Sequence, residues 1–418
     1  MPDPIRIGVI GCGRILPAHF RGMQRLRGAG FEGFRVSGLV ARNPADAERF
    51  RKRGEGPPPR PPVSRDPNDS LAAPHSYVSD WQPEEEATIY NSIDEMLAAD
   101  AVDAITITAS LPVHHTAAIQ ALDAGKHVMV EKPLAVSVRA GRLMVDAAER
   151  HGLTLGVMEM VRYQPSTRMT RWLIERGDLG EIQMIAAVSL GTGEWSPDRV
   201  VADTAWRHDR LTAGGGASID IGVHISHRLR YLVGEIESMT AVARVFEPLR
   251  TVRDANGNVF GTIRADADDA FFALPEFANG ATGTISFTWA GHGEPTGLPG
   301  GLTLYGTRGC LKGTTLIRDD GSRAEVADIF ASEATDAERE RFFPGGVTDA
   351  FGLTYLDWLN AIDAGSQPET SGADALRDLA SAFSIMESAT ARRAVAINDV
   401  LSGAVNTYQQ EIDSHYDI

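Results

Sequence analysis

Apolar residues along this chain follow two rhythms. Over roughly the first 155 positions, short β-branched and aliphatic runs alternate with stretches in which apolar residues recur every three or four places. The runs are IRIGVI at 5–10 and segments at 35–40, 104–108, 127–130 and 154–158; the helical patterns lie at 18–26, 93–99, 115–124 and 138–150. Uninterrupted apolar runs suit strands buried on both faces, and strand–helix alternation predicts a parallel, doubly wound sheet. From about residue 156 the texture changes to longer β-rich stretches at 181–190, 239–246, 269–277, 281–289, 301–305 and 311–317, expected to pair antiparallel. Asn279-Gly280 between two of them is a two-residue hairpin signal. Helical patterns near 349–362 and 373–393 close the chain, and there is no internal repeat.

A chain of 418 residues exceeds one ordinary core, so the expectation is an α/β protein of two domains, 1–155 and 156–418, with the last helices able to pack back on the first. With 43% hydrophobic and 23% charged residues and no apolar run of membrane-spanning length, the composition is that of a soluble globular protein. A formal charge of −16 argues against nucleic acid or an anionic membrane as partner and favours a small-molecule ligand. Cys12 and Cys310 form neither a disulfide framework nor a metal spacing, and the N-terminus enters a strand at once, so the cytoplasm is the expected compartment. Lysine occurs only at Lys52, Lys126, Lys132 and Lys312 in an arginine-rich chain, so Lys132 inside an apolar context hints at ammonium chemistry.

The first strand ends in Gly11-Cys12-Gly13, followed by Arg14, Ile15 and a helix. Glycines there let a pyrophosphate approach the backbone and the helix N-terminus, as in a Rossmann dinucleotide site. The usual third glycine is replaced by Leu16, so a tight turn unrelated to nucleotide stays open as a reading. At the end of the second strand stands Arg42, where an NAD site usually has a carboxylate. That favours NADP over NAD, with a solvated surface arginine as the alternative. Between 51 and 86 the pattern breaks into RKRGEGPPPRPPVSRDPNDSLAAPHSYVSDWQPEEE, an insertion. It reads as an arm or ordered loop against a neighbouring subunit, or as a lid over the cofactor, with Tyr77 and Trp81 packing.

A further series of motifs is specific: 104–108, Pro112, His115, Gly125-Lys126-His127-Val128-Met129-Val130-Glu131-Lys132-Pro133, Arg162-Tyr163-x-Pro165, Gly215-Gly216, Asp220-Ile221-Gly222-Val223-His224, 305–309 and 371–376. In this order they resemble the glucose-fructose oxidoreductase and inositol dehydrogenase (Gfo/Idh/MocA) family over nearly the whole chain. The resemblance implies an N-terminal Rossmann domain and a C-terminal α/β domain with a large open-faced, mostly antiparallel sheet that often makes homodimers or homotetramers. It implies hydride transfer between nicotinamide and a sugar, inositol or polyol carbon. Lys132, Asp220 and His224 would be catalytic. Gly11, Gly13, Arg14, Ile15, Arg42, Thr108, Ser110, His115, Glu131, Lys132 and Arg162 would meet cofactor, and Lys132, Glu159, Tyr163, Trp206, Arg207, Asp220 and His224 substrate. Pro133 would follow a cis peptide bond. His227 and Glu159 depart from the family pattern and put the substrate in doubt.

The chemistry of these residues is consistent with that assignment. Asp220 and His224 share a helix face at four-residue spacing, so the carboxylate can favour the charged imidazole while the imidazole takes an alcohol proton. Glycines 214–216 would let substrate or nicotinamide approach, and Lys132 at a strand's carboxyl end can stabilise negative charge on the same oxygen. The plain alternative is a helix-capping Asp and a core histidine. His19 is open between a match to a position where the family often has histidine and a helix-face packing role, and 194–208, with Trp206-Arg207, between a sugar contact and loop packing. No metal is expected, since Asp220, His224 and His227 lack a fourth ligand. Besides a dehydrogenase, two readings stay open: a redox-neutral glycoside hydrolase or lyase that recycles retained NAD, and a non-catalytic nucleotide sensor.

Overall fold

The computed structural model describes residues 3–418 except Arg65, Asn68, 192–196 and 255–256. The chain divides into two units. The first comprises 1–135, 140–163 and 343–375, and the second 136–139, 164–342 and 376–418.

The first unit is built on six strands, β1 (Ile5–Ile10), β2 (Phe34–Val40), β3 (Thr88–Tyr90), β4 (Ala104–Ile107), β5 (His127–Glu131) and β6 (Leu155–Met158). They lie in the order β3-β2-β1-β4-β5-β6 and every pairing is parallel. This is the doubly wound Rossmann order, with the reversal between β1 and β4 creating the crevice where such sheets bind nucleotides. The sequence pattern missed β3, because three residues just beyond the insertion carry too short an apolar run to register.

The insertion is partly core. Tyr77 and Trp81 are each 7% exposed, and Trp81 meets Phe20 edge-on at 5.7 Å. The Gln82 side-chain amide accepts from the Val36 N–H at 2.8 Å and donates to the Val36 carbonyl at 2.9 Å. Since β3 pairs only with Gly38–Val40 of β2, Gln82 satisfies the backbone that this short strand leaves uncovered. Residues 75–82 therefore complete the sheet edge of their own unit, which neither the arm nor the lid reading anticipates.

The late helix Ala350–Asp363 belongs to the first unit and packs on the helix Leu16–Gly28. Gly22 permits the contact, because a Cβ there would lie 2.7 Å from the Gly352 nitrogen.

The second unit carries β7 (Ile182–Leu190), β8 (Ile236–Arg244), β9 (Leu249–Arg253), β10 (Val259–Arg264), β11 (Ala270–Phe277), β12 (Thr282–Thr288), β13 (Thr296–Gly306), β14 (Gly309–Lys312), β15 (Thr315–Arg318), β16 (Arg323–Glu325) and β17 (Val395–Ala396). Nine of these form one sheet, β16-β15-β14-β13-β7-β12-β11-β8-β17, and β9–β10 a separate hairpin. The sheet is mostly antiparallel, but β7 and β12 run parallel. The single strand expected at 311–317 is two strands, because Gly313 takes φ +63 and turns the chain. The hairpin at Asn279-Gly280 exists, yet only Gly280 is left-handed, at φ +84. Phe277 N–H donates to the Ala281 carbonyl, so the connection is a three-residue loop rather than the expected two-residue turn.

Strand β11 alternates strictly, with Phe271 and Ala273 buried and Phe272 and Leu274 exposed. Helices Pro165–Glu175, Gly222–Leu232 and Gly372–Ala391 supply buried apolar residues of this core, including Leu173, Leu229 and Phe383. The other face presents Phe272 opposite Val242 and Met184 opposite Tyr305, all exposed. An open face is what the resemblance implies.

Candidate functional site

In the first unit, β1 hands over to the helix Leu16–Gly28 through Gly11-Cys12-Gly13. Gly11 has φ +98, and a Cβ there would sit 2.5 Å from the Ala109 nitrogen, so this glycine is required by the neighbouring loop after β4. Thr108 fastens that loop, its N–H donating to Ile10 at 2.8 Å and its hydroxyl to the Gly11 carbonyl. Gly13 is different: a Cβ would meet only the Thr108 carbonyl at 3.9 Å, so space stays open above the turn. The helix beyond Arg14 and Ile15 has no capping side chain and no acid in its first turn. An open glycine before an uncapped helix start suits an anionic pyrophosphate, although Pro17 carries no N–H and that of Ala18 donates to the Ile15 carbonyl at 2.9 Å. Arg42 lies just past β2, exposed, with no hydrogen bond or ion pair among the described residues. Cys12 is buried, which pushes its thiol up to about 12 and makes it an inert packing group.

Strand β5 ends at Glu131, followed by Lys132 and Pro133, joined by a cis peptide bond. His19 holds Glu131 in place: its Nε2 lies 2.7 Å from Glu131 Oε1 and its Nδ1 2.7 Å from the Tyr355 hydroxyl. Tyr355 meets Thr106 of β4 at 2.8 Å, and Glu131 Oε2 accepts from the Lys132 N–H at 3.1 Å. His19 and Tyr355 are fully buried, so this chain fixes the backbone that carries Lys132. His19 is thus a buried packing residue that also orients the acid of the motif.

His114 ties this segment to the loop after β4. Its Nδ1 lies 3.0 Å from the Pro133 carbonyl and its Nε2 3.1 Å from that of Ala109, and burial lowers its pKa. His115 is also buried, and burial with the neighbouring His114 lowers its pKa. Ser110 is exposed at the start of the turn Leu111–Val113. Glu159 is buried just beyond β6.

Arg162 and Tyr163 are employed within their own unit. Arg162 donates to Asp374 and to the Glu369 carbonyl, each at 2.8 Å. Tyr163, 1% exposed, gives its hydroxyl to Asp357 at 2.6 Å, and burial raises its pKa well above the ordinary value. A phenol sealed in this way packs the unit, which corrects the expectation that Tyr163 faces substrate.

In the second unit the glycine run serves the protein itself. Gly214 is left-handed at φ +72, with its Cβ position 2.5 Å from the Val136 carbonyl, and a Cβ on Gly216 would lie 1.7 Å from the Asp268 carbonyl oxygen. Backbone packs on these glycines, which corrects the expectation that they admit a ligand. The Asp268 carboxylate accepts the N–H groups of Gly216 and Ser218 at 2.8 and 2.9 Å and the Ser218 hydroxyl at 2.8 Å. It clamps the start of the helix Ala217–Asp220. That helix gives way at Ile221 to the helix Gly222–Leu232, so Asp220 and His224 stand on two successive helical segments.

Asp220 is joined by Arg207, whose Nε lies 3.2 Å from Oδ2. Arg207 also donates to Thr204 at 2.6 Å and stacks on Trp206 at 4.5 Å. Arg207, of the pair expected to contact a sugar, is thus engaged with Asp220. Glu194, Trp195 and Ser196 of the same stretch lie outside the described residues. His227 turns elsewhere, its Nδ1 2.6 Å from Asp378, which also pairs with Arg230 at 2.5 Å. Asp268, His114 and Tyr355 escaped the sequence reading. Asp268 sits in an Asp-rich run that resembles a solvated turn, and only the doubled histidine at 114–115 could have drawn attention to His114.

A parallel six-stranded sheet with its crevice and an open glycine turn, followed by a second α/β unit, defines a two-unit α/β protein of the Rossmann dinucleotide-binding class. The chain belongs to the Gfo/Idh/MocA oxidoreductase family: residues 5–159 match the oxidoreductase family with NAD-binding Rossmann fold, and 167–312 the GFO/IDH/MocA C-terminal domain. Levoglucosan dehydrogenase of Pseudarthrobacter phenanthrenivorans is 30% identical over 248 residues, 57% of this chain and 61% of that one. The 1,5-anhydro-D-fructose reductase of Ensifer adhaerens is 26% identical over 306 residues, 73% and 83% of the two chains. In fold, the solved levoglucosan dehydrogenase in complex with NADH and L-sorbose superposes with a TM-score of 0.71 at 21% identity, covering 95% of this chain and 99% of the other. Among the described residues no helix is long and apolar enough to cross a membrane.

Proposed function

We propose that the chain is an NAD(P)-dependent dehydrogenase or reductase acting on a CH–OH carbon of a sugar, inositol or related polyol. The observation that carries this reading is the joint presence of Lys132, at the end of β5, and of Asp220 and His224 in a chain matched by both family domains. A bound nicotinamide supplies the hydride acceptor or donor. The chain's own residues handle the oxygen and its proton. His224 takes the alcohol proton, Asp220 supports the charge that results, and Lys132 hydrogen-bonds the oxygen as negative charge develops on it. Arg207, ion-paired to Asp220, orients that carboxylate.

NADP is the preferred cofactor in this reading, because Arg42 is exposed and has no ionic partner among the described residues, leaving its guanidinium for a 2′-phosphate. Levoglucosan and 1,5-anhydro-D-fructose, named in the relatives' activities, head the substrate panel. The exposed apolar sheet face around Phe272, Leu274 and Tyr305 supports a homodimer or homotetramer. The test is a change in nicotinamide absorbance with the sugar panel, alongside mass spectrometry of nucleotide released on denaturation. Turnover with dissociable NADP(H) supports the proposal; retained NAD with glycoside cleavage and no net reduction overturns it.

A further inference from the structure

Within the second unit, a hollow of about 200 Å³ opens between the helix Gly222–Leu232 and strands β7, β12 and β13. Its walls are largely aliphatic and aromatic, with Ile225, Phe287 and Leu302 among them. Three polar side chains interrupt them: Ser189, Ser286 and Arg228. A cavity of about 150 Å³ suffices for benzene, so this one takes a single small ring with a substituent.

Arg228 is the anomaly. Among the described residues its guanidinium makes one hydrogen bond, from Nη1 to the Gly300 carbonyl at 2.9 Å, and its Nε is buried without an acceptor. Burial lowers its pKa, with no carboxylate opposing the shift. Two residues along the same helix, Arg230 shows the usual solution, pairing with Asp378 at 2.5 Å and Glu235 at 2.8 Å. Arg228 is half-buried, with its Nε sealed, and a cation partly desolvated against apolar walls gains from a counter-ion. The place for that counter-ion is the hollow itself.

Ile221, Ile225 and Arg228, spaced three to four residues apart, share one face of the helix. His224, four residues before Arg228, borders that face, while His227 lies about 100° round the axis from Arg228. We propose that this hollow is a binding site for a small carboxylate with an apolar body, its carboxylate paired with Arg228 and hydrogen-bonded by Ser189 or Ser286. The acid is either free or a substituent of a larger ligand.

Benzoate is the probe, titrated calorimetrically into the full chain with benzyl alcohol as its neutral counterpart. The expected result is saturable benzoate binding in the millimolar range or tighter, no comparable binding of benzyl alcohol, at least tenfold weaker binding to R228M, and partial retention by R228K. S286L, which fills the hollow and leaves Arg228 in place, is expected to lose binding as well, so a folding defect of R228M does not decide the matter. Absence of saturation up to about 10 mM, or equal binding to wild type, R228M and S286L, overturns the proposal. Competition identifies the source: displacement of benzoate by D-glucuronate but not D-glucose assigns the carboxylate to a sugar substituent, and displacement by neither assigns it to a separate acid. Displacement by both makes the hollow part of a neutral sugar site and overturns the proposal.

Discussion

The Asp268 carboxylate accepts both the backbone N–H and the hydroxyl of Ser218, at 2.9 and 2.8 Å, two residues before Asp220. Burial pushes its pKa up to about 6 from an ordinary 3.8, against the pull of its donors. The folded state then holds the proton more tightly than the unfolded chain between those values, so this group's contribution to stability falls as pH rises through that window. The expected outcome is that the stability advantage of wild type over D268N shrinks between about pH 4 and pH 6, at up to about 1.4 kcal/mol per unit, and then levels; denaturant melts across that range check it.

Substituting Gly216 tests the close packing of the clamp. With a Cβ 1.7 Å from the Asp268 carbonyl, G216A has no relaxed position and is expected to lose about 3 kcal/mol or more, measured by urea unfolding. Gly13, whose Cβ position is open, is the control: G13A is expected to unfold near wild type while losing dinucleotide affinity in a fluorescence titration.

Lys132 carries the proposed oxygen stabilisation. K132M is expected to lower kcat by about 10²- to 10⁴-fold at unchanged melting temperature, by nicotinamide absorbance. H224N is expected to lower kcat as well, since the proposed proton acceptor is lost. Wild-type rates in K132M would overturn the assignment.

Arg42 separates the cofactors. R42A is expected to weaken NADPH binding about tenfold or more while sparing NADH, since one charge-assisted contact to the 2′-phosphate is lost. Equal losses for both would remove it from the site.

His208 predicts sensitivity to acid. It is 2% exposed, its Nε2 accepts the Val201 N–H at 3.0 Å, and burial with the nearby Arg250 drives its pKa to about 3 from 6.5. The unfolded chain takes up this proton first, so stability is intact above about pH 6.5 and is lost as pH falls towards 3. H208Q, which retains an acceptor for Val201 without the titration, is expected to show a shallower loss.

Much of this protein was legible along the chain. Buried parallel strands announce themselves as apolar runs, and β1, β2, β4, β5 and β6 lie where those runs are. The Glu131-Lys132-Pro133 and Asp220…His224 motifs are equally local, because the family chemistry depends on residues a few places apart. Tertiary structure alone decided what each polar group meets. Nothing near Asp268 in sequence says that it caps a helix some fifty residues earlier, and nothing near His19 names Tyr355, which arrives from a helix 336 residues later. The same holds for glycines 214–216 and for Tyr163, read as open to ligand and found packed against the protein's own backbone or sealed inside it. A sequence records which side chains can donate, accept or yield space; which of them water, ligand or another part of the chain satisfies is settled when distant segments close on one another and the buried groups must find partners.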